Sequence, residues 1–223
     1  MDALDRLAAP AADLLARVDD ALAGTGAPPE HPVWLVLRRL GVLPGDAVRA
    51  IAALRPGPPA AAEPSLRRLA QAYGDAQVTA AQPLAWTGAG ADAFTIHRAA
   101  LGAHLARGDE SLSGRLAATA GLADALSDWM TQTRAELARA LAAALGSTQA
   151  VTLVAGPADA HAVPAADIAA RVLSTAVTAY DRAEELWREW APRVAELPWR
   201  PAVDGDPAPG PAGGDRLAVG EPG

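Results

Sequence analysis

Apolar residues recur every three or four positions along most of this chain, which is the spacing that puts them on one face of an α-helix. In the first such segment Leu4, Leu7 and Ala11 share a face with later leucines, and Gly24 ends the run. The pattern predicts helices at 2–23, 31–40, 47–54, 64–82, 89–107, 110–145 and 165–197. The predicted fold is therefore all-α: an elongated antiparallel helical hairpin or bundle with a small N-terminal helical subdomain.

Proline and glycine divide the predicted helices into larger units. Residues 151–154 read as a short strand or a loosely packed loop, and both options stay open. The last segment has Pro or Gly at nearly every second position and no apolar period, so we expect it to be disordered. The predicted units are a three-helix subdomain (1–55), a Pro/Ala linker (56–63), a bundle (64–197) made of a hairpin (64–145) and an additional helix (165–197), and a disordered tail (198–223).

The strongest periodic signal lies in 110–145, where the apolar residues approach a 3.5-residue repeat. Such a repeat favours helices packed lengthwise along a seam. A helix of 36 residues would be roughly 54 Å long, so it needs a partner helix from the same chain or from another. The predicted pairing seam consists of Leu112, Leu116, Leu126, Met130, Leu137 and Leu141.

Composition narrows the classes of function. The 223 residues carry a net charge of -7 and contain no cysteine, which argues against a broad phosphate-binding surface and excludes disulfides and cysteine metal sites. All 19 basic residues are arginine, a bias typical of a GC-rich genome such as an actinobacterial one. The hydrophobic fraction is 51% but aromatic residues make up only 4%, which favours thin helix-on-helix packing.

Targeting signals are weak or missing in the sequence pattern. No run of 18 apolar residues occurs, so we expect no membrane-spanning helix and no membrane insertion. The first 18 residues interleave Asp2, Asp5 and Asp13 with leucines, unlike a signal peptide. We expect a leaderless protein that is cytoplasmic or exported by a route without a cleaved leader.

Catalytic and nucleic-acid readings find little support. His97 and His104 are seven residues apart near Asp92, but a metal site needs further ligands, so we interpret them as the polar edge of a helical stripe. No HExxH, GxSxG, P-loop or GxGxxG pattern occurs. Residues 32–54 resemble a helix-turn-helix, yet Arg49 is nearly alone in being able to read bases. We expect no enzyme activity, no cofactor, no metal and no nucleic-acid partner.

Two short motifs point instead to protein recognition. Trp86-Thr87-Gly88 stands between two predicted helices and is followed by Phe94; glycine permits a tight or positive-φ turn there, and the indole can pack across the elbow. Tyr180 and Glu184 are four residues apart on one face of the last helix, and Trp187 continues that face. Each motif alone also fits an ordinary turn or an ordinary amphipathic helix.

Together, these motifs resemble the WXG (ESAT-like) family of type VII secretion substrates. The matching positions are Trp86, Gly88 and Phe94 at the elbow, with Tyr180 and Glu184 as the export signal. The resemblance implies a four-helix bundle formed by dimerisation, with itself or with a WXG-like protein, and recognition by a secretion ATPase. The alternative is a cytoplasmic helical scaffold or adaptor without export. The separation of 92 residues between Gly88 and Tyr180 favours this alternative.

Overall fold

The computed structural model describes residues 1–82 and 85–195, and within them it is all-α with no strand, as the periodicity predicts. Most helix bounds agree with the predicted ones to within a few residues. The helices are α1 (Ala3–Gly24), α2 (Val33–Leu40), α3 (Pro44–Ala52), α4 (Gly57–Ala80), α5 (Ala89–Ala106), α6 (Leu112–Leu145), α7 (Thr148–Ala155) and α8 (Ala162–Val194). The predicted disordered tail, 198–223, lies outside the described residues.

The predicted linker at 56–63 is wrong, because α4 already begins at Gly57. Pro58 and Pro59 occupy the first helical turn, where the missing N–H costs no hydrogen bond. The alanines that follow are the strongest helix formers. Pro64 then lies inside α4 rather than at its start.

The segment 151–154 is neither a strand nor a loop but part of α7. Ser147 caps this helix, since its Oγ accepts a hydrogen bond from the backbone N–H of Ala150 at 3.2 Å. Leu153 is fully buried, whereas Val151 and Val154 are exposed. A single inward leucine on a well-capped turn thus outweighs the strand preference of the β-branched residues.

The main hydrophobic core joins α1, α2 and α3 to the second half of α6, to α7 and to the first half of α8. Leu4, Val33, Leu137, Leu153 and Leu173 are fully buried in it. The three predicted N-terminal helices are therefore present, but their apolar faces complete this shared core. The prediction of a small N-terminal unit beside the bundle is wrong in that respect.

Arg134 of α6 fastens the N-terminus of α1 to this core. Asp2 and Asp5 form a capping box, each side chain accepting the other residue's backbone N–H. The buried guanidinium of Arg134 donates to both carboxylates and to the carbonyl oxygens of Ala52 and Leu54. One side chain thereby connects the start of α1, the end of α3 and the middle of α6.

The helices α4, α5 and the first half of α6 form a thinner layer outside the main core. α4 packs along α6, and α5 packs mainly on α4. The apolar contacts in this layer come from small residues. Its buried alanine and glycine residues are Ala70, Ala91, Gly102, Ala120 and Ala123.

By length and composition, α8 is the single helix within residues 1–82 and 85–195 that could cross a bilayer, and the bent pair α6–α7 passes the same test only jointly. The sequence pattern, which contains no run of 18 apolar residues, predicts no such helix. One side of α8 is buried against the rest of the fold, with Ile168, Val172 and Leu173 in the main core. A core helix meets the same criteria, so this finding is weak support for a membrane span.

Candidate interaction surfaces

The Trp86-Thr87-Gly88 elbow connects α4 to α5, as expected from its place between two helical segments. Gly88 is the N-cap of α5 with φ 111° and ψ 175°, a conformation that is essentially restricted to glycine. Its carbonyl oxygen accepts the backbone N–H groups of Ala91 and Asp92 at 2.8 and 3.1 Å. The glycine is therefore required by backbone geometry, and it sets the direction in which α5 leaves the elbow.

Trp86 and Phe94 form an exposed aromatic pair at this elbow. Their ring centroids are 5.9 Å apart with an interplanar angle of 54°, within the range of favourable aromatic contacts. About half of each side chain remains exposed, 49% for Trp86 and 46% for Phe94. The pair therefore presents an apolar surface to solvent instead of closing the end of the layer.

The exposed apolar surface continues along α5. Only Ala91 and Gly102 of its 18 residues are buried, while Ile96 and Leu101 are exposed. Phe94 and Leu101 are seven residues apart and share one side of the helix. We call Trp86, Phe94 and Leu101 the α5 face.

The predicted pairing seam of α6 is largely used within the chain. Leu137 and Leu141 are buried in the main core, with 0% and 1% exposure. The remaining seam residues are half-buried on a helix along which α4 and α8 both pack. These are Leu112, Leu116, Leu126 and Met130. The partner that the length of α6 requires is thus supplied by this chain's own helices.

Tyr180, Glu184 and Trp187 lie on α8 and are exposed, Tyr180 by 51% and Trp187 by 62%. Arg39 of α2 contacts both Tyr180 and Glu184. Its guanidinium carbon is 5.9 Å from the centroid of the Tyr180 ring, and its Nη2 is 4.0 Å from Glu184 Oε2. The same guanidinium pairs with Asp181, which raises the pKa of Arg39.

Sequence reasoning missed Arg39 and Asp181 as members of this patch. They are 142 residues apart, and neither periodicity nor motif spacing relates them. The sequence offers one local signal for this patch, which is that Asp181 lies between Tyr180 and Glu184. The patch is therefore a small charged and aromatic cluster formed by two helices.

The other chemical candidates do not come together into a site. His97 and His104 lie on α5, and within residues 1–82 and 85–195 no group of three or more acidic or histidine side chains is placed to hold a metal ion. Arg49 pairs with Asp46 one turn away on α3. α2 packs on α8, and α3 packs on α1, so the helix-turn-helix segment contributes to the core.

Among residues 1–82 and 85–195, exposed aromatic side chains have apolar or charged neighbours at the α5 face and at the Tyr180–Glu184 patch with Arg39. Their residues come from an elbow whose glycine is required by the backbone and from a helix whose opposite side is buried. No family model matches the chain, and neither a curated protein nor a solved structure shows detectable similarity to it.

Proposed function

We propose that this chain is a non-enzymatic protein-interaction module that pairs with a helical partner through the α5 face. The observation that carries the proposal is the burial of α5: only two of its 18 residues are buried although apolar side chains lie around most of the helix. A helix that is apolar on all sides is normally buried. A partner helix along α5 would cover Phe94 and Leu101 and would contact Trp86 at the elbow.

Within that class, the proposed identity is a WXG-like type VII secretion substrate or partner. Trp86 and Gly88 support it, because they stand at a helix–helix elbow with the indole exposed and the glycine at positive φ. Tyr180 and Glu184 support it as an exposed pair on one face of α8. A secretion ATPase that reads this pair would also meet Arg39 and Asp181.

The second candidate is a cytoplasmic helical scaffold or adaptor without export. The contact between Arg39 and the Tyr180–Glu184 pair favours it, since these side chains then help to hold α2 against α8. Tyr180 and Glu184 also lie on a helix of the main core, 92 residues or more after Gly88, and this position likewise favours a structural role without export. In this reading the α5 face still binds a helical partner, but the patch on α8 is structural.

The pairing proposal is tested by co-purification with the tagged full-length chain from its native host. Phe94→Glu combined with Leu101→Glu places two charges on the α5 face and should remove the stable helical partner. Val151→Glu combined with Val154→Glu changes two exposed valines of α7 in the same way and should retain it. Circular dichroism checks that both variants remain helical. A partner that stays bound to the α5 variant contradicts the proposal.

Export is tested by immunoblotting washed cells and culture filtrate, with a cytoplasmic protein as lysis control. Export predicts the protein in the filtrate, its loss when the secretion ATPase is deleted, and its retention in cells after Tyr180→Ala with Glu184→Ala. Glu185→Ala, at an exposed neighbour off the Tyr180 face, should leave export unchanged. Protein confined to the cells in every strain supports the scaffold instead.

A further inference from the structure

Arg39, in the last turn of α2, covers part of the surface that Tyr180 and Glu184 present on α8. Its guanidinium carbon is 5.9 Å from the centroid of the Tyr180 ring, and its Nη2 is 4.0 Å from Glu184 Oε2. The same Nη2 donates a hydrogen bond to Asp181 Oδ1. One side chain from another helix therefore contacts the aromatic ring and both carboxylates at the same time.

The positive charge at this surface comes from Arg39. Within the part of the chain that the structure describes, no other cation lies within 4 Å of the carboxylates of Asp181 and Glu184. Arg182, next to Asp181 in the sequence, is directed instead to α6, where its Nη1 donates to both oxygens of Glu136 at 2.7 and 2.8 Å. Without Arg39 the surface would be an aromatic ring beside two carboxylates, which is a combination that attracts a cation.

We propose that Arg39 masks the Tyr180–Glu184 pair, and that the partner which reads this pair displaces Arg39 with a basic side chain of its own. The inference rests on the proposed export function of the pair. An arginine or lysine of the partner would take the position that Arg39 now holds, over the Tyr180 ring and close to the two carboxylates. The contact is autoinhibitory, because the partner must break an interaction within this chain before it can bind.

The contact is weak enough to be exchanged. The side chains of Arg39, Asp181 and Glu184 are nearly half exposed, so water and salt screen their attraction. An exposed ion pair and an exposed cation–π contact each change an equilibrium constant by only a few-fold, whereas a cation–π contact that an interface shields from water is stronger. Arg39 should therefore lower the binding of the partner roughly threefold to tenfold without preventing it.

The first test measures the binding of a cation and needs no partner protein. N-acetylarginine amide is titrated into the full chain, and the ring resonances of Tyr180 are followed by NMR, with Tyr73, the second of two tyrosines, as internal reference. Arg39→Gln should bind this probe roughly threefold to tenfold more tightly than the wild type does. Arg39→Lys keeps a cation in place, and Arg38→Gln changes the exposed neighbouring arginine, so both should bind as the wild type does. N-acetylglutamine amide, which has no charge, should shift neither ring.

The second test compares the rates at which these proteins reach the culture filtrate of the native host. Arg39→Gln should be exported roughly threefold to tenfold faster than the wild type, and only while the secretion ATPase is present. Arg39→Lys and Arg38→Gln should be exported at the rate of the wild type. Circular dichroism checks that every variant remains helical.

The two tests separate the masking by Arg39 from the export function on which it rests. Export of the wild type with an equal or lower rate for Arg39→Gln overturns the masking and leaves the export function standing. Retention of both proteins in the cells overturns the export function and the masking together. Equal affinity of the wild type and Arg39→Gln for N-acetylarginine amide, or a similar response to N-acetylglutamine amide, contradicts a partner that binds through a basic side chain.

Discussion

Replacing Arg134 by Met tests whether one side chain holds the start of α1 to the rest of the fold. Arg134 is 4% exposed. Its Nε and Nη2 donate to the two oxygens of Asp2 at 2.6 and 3.0 Å, and Nη2 also donates to Asp5 Oδ1 at 2.5 Å. Its Nη1 donates to Ala52 O at 2.6 Å and Leu54 O at 3.1 Å. Methionine keeps most of the apolar stem but removes all of these donors.

The magnitude depends on how exposed the abandoned partners are. Breaking a fully buried ion pair costs about 3–5 kcal/mol, because the remaining charge stays buried. Here the side chains of Asp2 and Asp5 are 46% and 36% exposed, so water can hydrate them, although two carbonyl groups lose their donor. We expect Arg134→Met to lower the free energy of unfolding by about 3 kcal/mol. For a chain of this size that lowers Tm by roughly 6–12 °C.

The same interaction predicts a pH dependence. The hydrogen bonds from Arg134 are the largest cause of the low pKa of Asp2, which falls from 3.8 to about 2. A carboxyl group whose pKa is lower in the folded state stabilises the fold above its unfolded pKa, and this stabilisation is lost as the pH falls toward the folded value. Solvent screening of the half-exposed Asp2 reduces the effect to about 1 kcal/mol. The difference between wild type and variant should therefore shrink between pH 5 and pH 2.

The assay is urea denaturation of both proteins at several pH values, followed by circular dichroism. Arg139→Met, at an exposed arginine on the same helix, is the matched control and should change stability by less than about 0.5 kcal/mol. An Arg134→Met protein as stable as this control at pH 7 would refute the argument for the connection. A stability difference that stays constant from pH 5 to pH 2 would refute the part assigned to Asp2.

Three further substitutions have defined outcomes. Gly88→Ala places a side chain at φ 111° and should reduce the hydrogen-exchange protection of α5 by about 1–3 kcal/mol. Gly74→Ala, with open space around its Cβ position, is the control and should increase the stability of α4. Equal effects of the two substitutions would contradict the backbone requirement at Gly88. Gly121→Ala puts a Cβ 2.8 Å from Trp190 Cζ3. The NMR resonance of the Trp190 indole N–H should therefore shift, and the free energy of unfolding should fall by about 1–3 kcal/mol. An unchanged indole resonance would contradict the packing of Trp190 on Gly121. Thr133→Val removes a buried hydroxyl that has no hydrogen-bond partner among the described residues, and it should raise the free energy of unfolding, measured in urea, by about 1–3 kcal/mol. A lower free energy of unfolding would mean that the hydroxyl makes a hydrogen bond in the folded protein.

The helical architecture is largely predictable from this sequence because helix periodicity is a local property. Asp2 directly precedes the first apolar positions of α1, where a capping residue belongs, and it caps the helix through a capping box with Asp5. The errors at 56–63 and 151–154 arose where local signals compete. Proline marks both linkers and first helical turns, and valine favours strands even where a serine cap and one buried leucine form a helix.

The surfaces were less predictable than the fold. Gly88 has a positive φ at the start of α5, and a glycine between two helical patterns is a local signal, so this position could be predicted from the sequence. The contact of Arg39 with Asp181 and the contact of Arg134 with Asp2 join residues more than a hundred positions apart. Such pairs depend on how the helices pack, and a single sequence contains no signal that relates them.

The alanine-rich composition has different consequences in the two parts of the fold. In the main core, leucine and valine side chains from six helices are buried, and each contributes about 1.5–3 kcal/mol. In the outer layer the buried positions of α5 are Ala91 and Gly102, which bury little apolar area. α5 is therefore a helix whose stability can gain from a partner. By mass action, a partner that binds the α5 face should raise the protection of α5 more than that of α1 or α8, whose apolar faces are already buried in the main core.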